Sequence, residues 1–191
     1  MPPAPHILFL NEFFHPDICA SAAVLTDRLP RLARRRPDWK IIVLASNRAW
    51  DNPSVIYPRE EEFGGVTIRR IDRPTVSRTN LLRRALGFAV FQRGAVRAAR
   101  RLPKLDLVVA TTAPPQGADI AHEIARRHGC PYIYTVLDLY PDLTATLERF
   151  KSRGLIYRRW LARDTKLMQG AAAVVSIAER ITERIAATRD I

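Results

Sequence analysis

Short apolar runs alternate along the chain with longer stretches whose apolar residues recur at helical spacing. The apolar runs predict strands at residues 6–10, 39–45, 66–71, 107–110, 132–137 and 172–177. The other stretches predict helices at residues 20–35, 81–102, 116–128 and 177–187, with two further helical segments after residue 142 that separate near residues 152–154. Strands that alternate with helices predict an α/β fold, here a doubly wound parallel sheet.

One strand–helix–strand unit, residues 106–142, is the most informative part of the sequence. It reads DLVVATTAPPQGADIAHEIARRHGCPYIYTVLDLYPD, and both apolar runs are rich in the residues of parallel strands that are covered on both faces. Gly129 marks the end of the helix between them. The loops that follow such strands lie at the edge where open α/β sheets bind ligands, so we expect their polar residues to face one cleft. These residues are Thr111, Thr112, Asp138 and Asp142.

Local signals predict how some elements begin and how two strands connect. Ser21, or the loop before it, is a candidate cap for the first helix. Ser176 and Glu179 have the spacing of a capping box, which predicts that Ser176 caps the last helix. Residues 46–63 form a polar connection that is longer than an ordinary loop, and a Gly-Gly pair at residues 64–65 then turns the chain into the next strand.

The protein is strongly basic, with a formal net charge of +12 at pH 7. Between Asp72 and Asp106 the sequence has nine basic residues and no acidic one, largely on a predicted amphipathic helix. A second stretch, residues 149–166, combines basic with aromatic and aliphatic residues. Such helices are typical of contact with an anionic membrane surface, where each basic residue contributes on the order of 1 kcal/mol. The residues predicted to make this contact are Arg83, Arg84, Arg93, Arg97, Arg100, Arg101, Arg158, Arg159 and Trp160.

The same charge leaves two other interpretations open. Both segments could be ordinary surface helices with an arginine-rich face toward solvent. Nucleic acid is also attracted to a basic surface, but no recognised nucleic-acid-binding motif accompanies the charge here. Nucleic-acid binding is therefore the least favoured of the three interpretations.

Several classes of protein and site are disfavoured by the sequence. It contains neither the GxGxxG nor the GxxxxGK[ST] phosphate-binding pattern. Cys19 and Cys130 fit neither a metal cluster nor a disulfide framework, and the histidines lack metal-ligand spacing, so we predict no metal site and a reducing cytoplasm. The N-terminus does not have the pattern of a signal peptide, and no apolar stretch is long enough to span a bilayer. A length of 191 residues with 47% hydrophobic composition fits a single domain over residues 1–191.

At the level of motifs the chain resembles the N-terminal domain of family 4 glycosyltransferases of the GT-B fold, and in particular bacterial enzymes of capsule, O-antigen and colanic acid assembly. The resemblance rests on the segments FLNEFFHPD, GVTIRRI, DLVVATTAPPQGADIA, PYIYTVLDLYPD and AAAVVSIAERI, which cover nearly the whole chain. It implies one Rossmann-like half of a GT-B architecture, the half that binds the acceptor. It also implies that the nucleotide-sugar donor binds to a C-terminal domain or chain absent from this sequence. This domain would then need no cofactor and would be inactive alone.

Two positions depart from the pattern of that family. The loop after the first strand reads ICAS at residues 18–21, where the family usually has a Gly-Gly pair that lets the backbone approach the donor phosphates. Leu137 stands where many members have a histidine, which leaves Asp138 as the ionisable group. Asp138 is thus the candidate catalytic residue, since a carboxylate in the cleft can orient an acceptor hydroxyl or stabilise positive charge on the sugar.

Every candidate residue also has a structural interpretation. Asp138 could cap the next helix or pair with an arginine, and Asp142 follows a proline as an N-cap residue often does. A loop histidine is often hydrogen-bonded for structural reasons, and hydroxyls at strand ends often serve turns. The residues predicted to bind the acceptor are Glu12, His15, Thr111, Thr112, Asp142 and Ser176.

These inferences lead to one hypothesis and two alternatives. The hypothesis is the acceptor-binding half of a retaining glycosyltransferase in cell-surface glycan synthesis, peripheral to the inner face of the plasma membrane. Its acceptor would be lipid-linked or a polysaccharide. The first alternative is a non-catalytic subunit that recruits a split glycosyltransferase to the membrane, and the second is a basic Rossmann-like module that binds nucleic acid. The sequence does not distinguish retention from inversion, because a fold does not fix a reaction.

Overall fold

A computed structural model describes residues 3–73, 81–146 and 154–191, without the side chains of residues 81–85, 145 and 146. Its strands are β1 (His6–Leu10), β2 (Lys40–Ser46), β3 (Glu60–Phe63), β4 (Val66–Ile71), β5 (Leu107–Thr111), β6 (Tyr132–Val136) and β7 (Ala173–Ser176). Its helices are α1 (Ala20–Arg35), α2 (Leu81–Ala99), α3 (Gly117–His128), α4 (Asp142–Thr146), α5 (Leu155–Gln169) and α6 (Glu179–Arg189).

The described strands form one sheet in the order β3-β4-β2-β1-β5-β6-β7. All neighbours pair in parallel except β3 and β4, which are antiparallel. Leu8 in β1 lies beside Ile42 on one side and Val108 on the other, so β1 and β5 are the central pair. The chain winds outward in both directions from this pair, which confirms the predicted Rossmann-like doubly wound sheet. Such a reversal opens a crevice at the carboxyl ends of the two strands.

Helices cover the sheet on both faces. Ile41 and Val43 of β2 pack with Leu29 of α1 in one core cluster. Ile42 and Leu44, the alternate residues of the same strand, belong to a second cluster that includes residues of α2 and α3 on the opposite face. Because both faces are buried, β2 is a continuous apolar run rather than an alternating one.

The strand β3 was not predicted, since its sequence EEEF lies inside the supposed polar connection. This edge strand has only one apolar residue, Phe63, and charge pairs link it to the neighbouring strand. Glu60 pairs with Arg69, and Glu61 pairs with Arg70, both on β4. The Gly-Gly pair between the strands has φ angles of 58° and 81°, as a two-residue hairpin turn requires.

Helix ends differ from the sequence predictions at three places. Cys19, rather than Ser21, is the N-cap of α1, and no side chain caps that helix. Ala178 is the N-cap of α6, so the predicted capping box of Ser176 with Glu179 is wrong. The helix α2 ends at Ala99 rather than at residue 102. Gly129 does end α3, with the left-handed backbone that was expected of it.

Candidate functional site

Buried polar side chains join the loops after β1 and β5 at the centre of the sheet. The Thr111 hydroxyl donates a hydrogen bond to the Asn11 side-chain oxygen. The backbone N–H of Glu12 donates to the carbonyl of Ala113 at 2.6 Å. These bonds fix the loop after β1 relative to the loop after β5, and the crevice lies between these loops. A preorganised ligand site needs such fixed positions.

The structure also holds the loop after β6 against this crevice. The Thr112 hydroxyl oxygen accepts hydrogen bonds from the backbone N–H groups of Leu137 and Asp138, at 3.1 and 3.0 Å. The Asp138 side chain is exposed, and its carboxylate has no hydrogen-bond or ion-pair partner within the described ranges. The loop 137–141, called the Asp138 loop below, therefore presents a solvent-accessible carboxylate on a backbone that is held in place.

Glu12 is buried, with 5% of its surface exposed, and pairs with Arg73 at 2.9 Å. Arg73 follows β4, and its backbone N–H donates to the side chain of Asn47, which follows β2. Arg73 was predicted only as part of the basic segment, and Asn47 and Asn11 were not among the predicted site residues. The sequence does contain a signal for these three residues, because each is a polar residue within two positions of the carboxyl end of a buried strand.

His15, which was predicted to bind the acceptor, lies away from Asp138. Its ring stacks on Phe63 of β3, with centroids 3.8 Å apart, and its carbonyl accepts a hydrogen bond from Arg70 of β4. Four strand spacings separate β4 from β6, which is roughly 20 Å across the sheet. The cause lies in the loop after β1, which runs toward β3 and β4 before α1 begins.

Asp17, in the same loop, anchors the connection that follows β2. Its Oδ1 accepts hydrogen bonds from the backbone N–H of Trp50 at 2.8 Å and from the Tyr57 hydroxyl at 3.1 Å. Burial raises the pKa of the Asp17 carboxyl above its usual value, despite these bonds. Burial and the neighbouring Asp17 carboxylate likewise raise the pKa of Tyr57 to about 12.

Asp142 is used by the fold. It is the first residue of α4 rather than its N-cap, and its two carboxylate oxygens pair with Arg184 at 2.9 Å and Arg189 at 2.8 Å. Burial alone would raise its pKa, but these guanidinium groups outweigh burial and lower it. The prediction that Asp142 faces the cleft as an acceptor ligand is therefore not supported by its contacts. Ser176 is similarly engaged, with the carbonyl of Ala178 and the hydroxyl of Thr182.

Arg189 is the centre of a buried polar cluster behind the Asp138 loop. It is 1% exposed and donates to Asp164 of α5, to Asp142 and to the Tyr140 carbonyl, each at 2.8 Å. Burial raises the pKa of the Asp164 carboxyl to about 6, although Arg189 pairs with it. The cluster ties α5 and α6 to the loop that carries Asp138.

The helices α2 and α5, which carry described parts of the two basic segments, lie on the same face of the sheet. The helix α3 lies between α2 and α5, and adjoining depressions on this face are lined by Arg93 and Arg97 of α2 and by Arg159 of α5. Trp160 of α5 is half-buried and stacks on Tyr140 of the Asp138 loop, with centroids 5.8 Å apart. The other arginines predicted to contact the membrane, Arg100, Arg101 and Arg158, are exposed, and the side chains of Arg83 and Arg84 lie outside the described residues.

None of the described helices is long and apolar enough to cross a membrane. Within the described ranges, no group of three or more His, Cys, Asp or Glu residues is placed to hold a metal ion.

Comparison with known families decides the class of the protein. Residues 20–191 match the family of glycosyl transferase 4-like domains, and this match covers most of the chain. The chain belongs to this family. No curated protein sequence matches it significantly. The match supports the expected glycosyltransferase family, while the N-terminal position and the bacterial cell-surface type remain predictions.

Some candidate residues of this glycosyl transferase 4-like domain lie inside the matched range and others lie outside it. Thr111, Thr112 and Asp138 lie within it, whereas Glu12 and His15 precede it. The carboxyl ends of β5 and β6 thus contribute the candidate residues that are inside the family match and close together. Their roles in acceptor binding and catalysis remain predictions.

We expect the stability of this glycosyl transferase 4-like domain to depend on pH through Asp164. The folded carboxyl has a pKa of about 6 against an ordinary 3.8, so the folded state binds the proton more tightly. Stability should therefore fall as the pH rises from about 4 to about 6, by up to about 3 kcal/mol, because deprotonation costs more in the folded state. Urea unfolding of wild type and Asp164→Asn at several pH values measures this, since the variant lacks the titration. Parallel pH profiles of the two proteins would contradict it.

Proposed function

We propose that this chain is the acceptor-binding half of a retaining glycosyltransferase, which transfers a sugar from a nucleotide-sugar to a lipid-linked or polysaccharide acceptor in cell-surface glycan synthesis. The family match supports glycosyl transfer. The observation that carries the proposal is the exposed carboxylate of Asp138, which has no partner among the described residues, on a loop that Thr112 holds beside the central crevice. The nucleotide-sugar would bind to a second domain or chain that faces this edge of the sheet.

In the proposed reaction, a hydroxyl of the acceptor attacks the anomeric carbon of the donor sugar. The bond between that carbon and the donor phosphate breaks, and the nucleoside diphosphate leaves with the electron pair. Asp138 accepts a hydrogen bond from the attacking hydroxyl and stabilises the positive charge that develops on the sugar, and the hydroxyl proton passes to an oxygen of the departing diphosphate. Thr111 and Thr112 fix the loops that shape the acceptor side, and Glu12, paired with Arg73, fixes the loop after β1.

The proposed location is the cytoplasmic surface of the plasma membrane. The basic arginines of α2 and α5 lie on one face of the sheet, which supports attraction to anionic lipid. Apolar side chains on the same helices are also exposed, with Leu86 at 61%, Leu155 at 64% and Ile156 at 63%. A basic surface with exposed aliphatic side chains is the composition that interfacial binding requires.

The test of this proposal is transfer of labelled sugar from a panel of nucleotide-sugars into lipid-extractable and polymeric material. It uses the protein that contains this chain together with its donor-binding part. Asp138→Asn should lower kcat/KM by about 100-fold, because a residue that acts in the transition state contributes on that scale. Asp38→Asn is the control. Asp38 is an exposed carboxylate just before β2, at the amino ends of the parallel strands and away from Asp138.

Each outcome of that assay has a definite meaning. Transfer by wild type and by Asp38→Asn, with little transfer by Asp138→Asn, is the expected result. Equal transfer by all three proteins would remove Asp138 from the mechanism. Absence of transfer from every nucleotide-sugar would contradict the proposed activity.

A further inference from the structure

A long basic groove runs along the face of the sheet that α2, α3 and α5 cover, between α2 on one side and α3 with α5 on the other. It consists of two adjoining depressions of about 1100 and 750 Å³. They share Gln92 of α2, Asp119 of α3, and Arg163 and Lys166 of α5. We call this continuous surface the basic groove.

The charges of the basic groove are unbalanced. Its α3 carboxylates are already engaged, because Asp119 pairs with Arg163, and Glu123 pairs with two arginines of its own helix. Six further cations of the groove have no carboxylate partner within the described part of the chain. They are Arg93, Arg97, Arg100, Arg101, Arg159 and Lys166. Such a concentration of unpaired positive charge favours an anionic ligand.

The spacing of these cations suits phosphate groups. Arg93 and Arg97 are one helical turn apart on α2, about 6 Å along the axis, and both are exposed toward the groove. Guanidinium groups bind phosphate oxygens with two parallel hydrogen bonds. The N-terminus of α3, beside Gln116, adds to this, because no side chain caps it and the second depression reaches it.

One end of the groove reaches the candidate catalytic loop. Trp160 lines the second depression, and its ring stacks on Tyr140 of the Asp138 loop. A ligand whose charged part lies in the groove can therefore place another part beside Asp138. The exposed side chains of Leu155 and Ile156 begin the same helix, α5, and offer an apolar surface beside that end.

We propose that the basic groove binds the phosphate or diphosphate through which the acceptor is linked to a lipid. This inference rests on the proposed function, because it assumes that the domain holds the acceptor. It selects the lipid-linked acceptor over the free polysaccharide. The sugar of the acceptor would lie at Asp138, its phosphates between Arg93, Arg97 and Arg159, and its lipid along the exposed apolar side chains of α5.

The test is binding of the 191-residue chain to farnesyl diphosphate, followed by isothermal titration calorimetry at fixed ionic strength. Two matched ligands serve as controls. Farnesol lacks the diphosphate, and inorganic pyrophosphate lacks the lipid. We expect farnesyl diphosphate to bind, pyrophosphate to compete with it, and farnesol to bind at least tenfold more weakly. Arg93→Gln/Arg97→Gln should weaken binding of farnesyl diphosphate at least tenfold. Arg34→Gln/Arg35→Gln, which removes the same charge from the opposite face on α1, should not change it.

Vesicles and nucleic acid distinguish the other sources of phosphate. Phosphatidylcholine vesicles with phosphatidylglycerol present lipid phosphates as a surface, and a single-stranded oligonucleotide presents them as a polymer. Where the chain binds either of these through the groove, farnesyl diphosphate should displace it. Equal losses of farnesyl diphosphate binding in the two double-arginine variants would overturn the proposal. So would tighter binding to the oligonucleotide than to farnesyl diphosphate, with the same loss in Arg93→Gln/Arg97→Gln.

The proposal can fail separately from the proposed function. Asp138→Asn should bind farnesyl diphosphate as wild type does, because Asp138 is placed at the sugar and not at the phosphates. Sugar transfer that needs Asp138, with no binding in the groove, would overturn the groove proposal alone. Binding in the groove with no sugar transfer would instead contradict the proposed function.

Discussion

Arg189→Met should lower the free energy of unfolding by about 3–5 kcal/mol, because it leaves buried carboxylates without their cationic partner. Arg189 is 1% exposed and pairs with Asp164 and Asp142, each at 2.8 Å. The variant also loses the hydrogen bond to the Tyr140 carbonyl, which holds the Asp138 loop. Urea unfolding at pH 7, monitored by circular dichroism, measures the change.

Arg184→Met provides the matched control for this prediction. Arg184 pairs with the same carboxylate, that of Asp142, but 57% of its side chain is exposed. Exposed ion pairs contribute about 0–1 kcal/mol, so this variant should stay close to wild type. A double variant, Arg189→Met/Asp164→Leu, should recover part of the loss, since apolar groups can replace a buried ion pair. Equal effects of Arg189→Met and Arg184→Met would contradict the buried cluster.

Gly117→Ala should destabilise the protein by about 3 kcal/mol or more, at or above the upper end for overpacked sites. A Cβ atom at this position would lie 1.8 Å from the carbonyl oxygen of Thr111. That oxygen belongs to the backbone at the end of β5, so no side-chain rotation relieves the clash. α3 would have to move away from the strand, and the loop that carries Thr112 would move with it.

Gly129→Ala is the control for this second substitution. Gly129 ends the same helix and has a φ of 65°, but a Cβ atom there would meet nothing within 4 Å. Its cost should be limited to the left-handed backbone of a non-glycine residue, about 1–2 kcal/mol. Thermal and urea unfolding of both variants distinguish the two causes. A Gly117→Ala variant no less stable than Gly129→Ala would contradict the close approach of α3 to β5.

Part of the candidate site could be predicted because it follows from strand order along the chain. Thr112 directly follows β5, and Asp138 is the second residue after β6. These two strands pair in parallel, so their carboxyl ends lie side by side. The pairing of Glu12 with Arg73 was not predictable, since these residues are far apart in the sequence and β2 separates their strands. The displacement of His15 depends on the path of its loop, which apolar periodicity does not describe.

Local sequence patterns predicted the fold class, the apolar strands of the parallel sheet and the end of α3 at Gly129. Periodicity and glycine positions are local signals, so these features could be inferred without neighbours. Which charges of different helices and strands meet depends on the tertiary structure. Asp142 has the local pattern of a helix cap, yet Arg184 and Arg189 of α6 occupy its carboxylate. The basic segments around Arg93 and Arg159 form one groove because α2 and α5 pack on the same face of the sheet, a long-range arrangement that no local pattern contains.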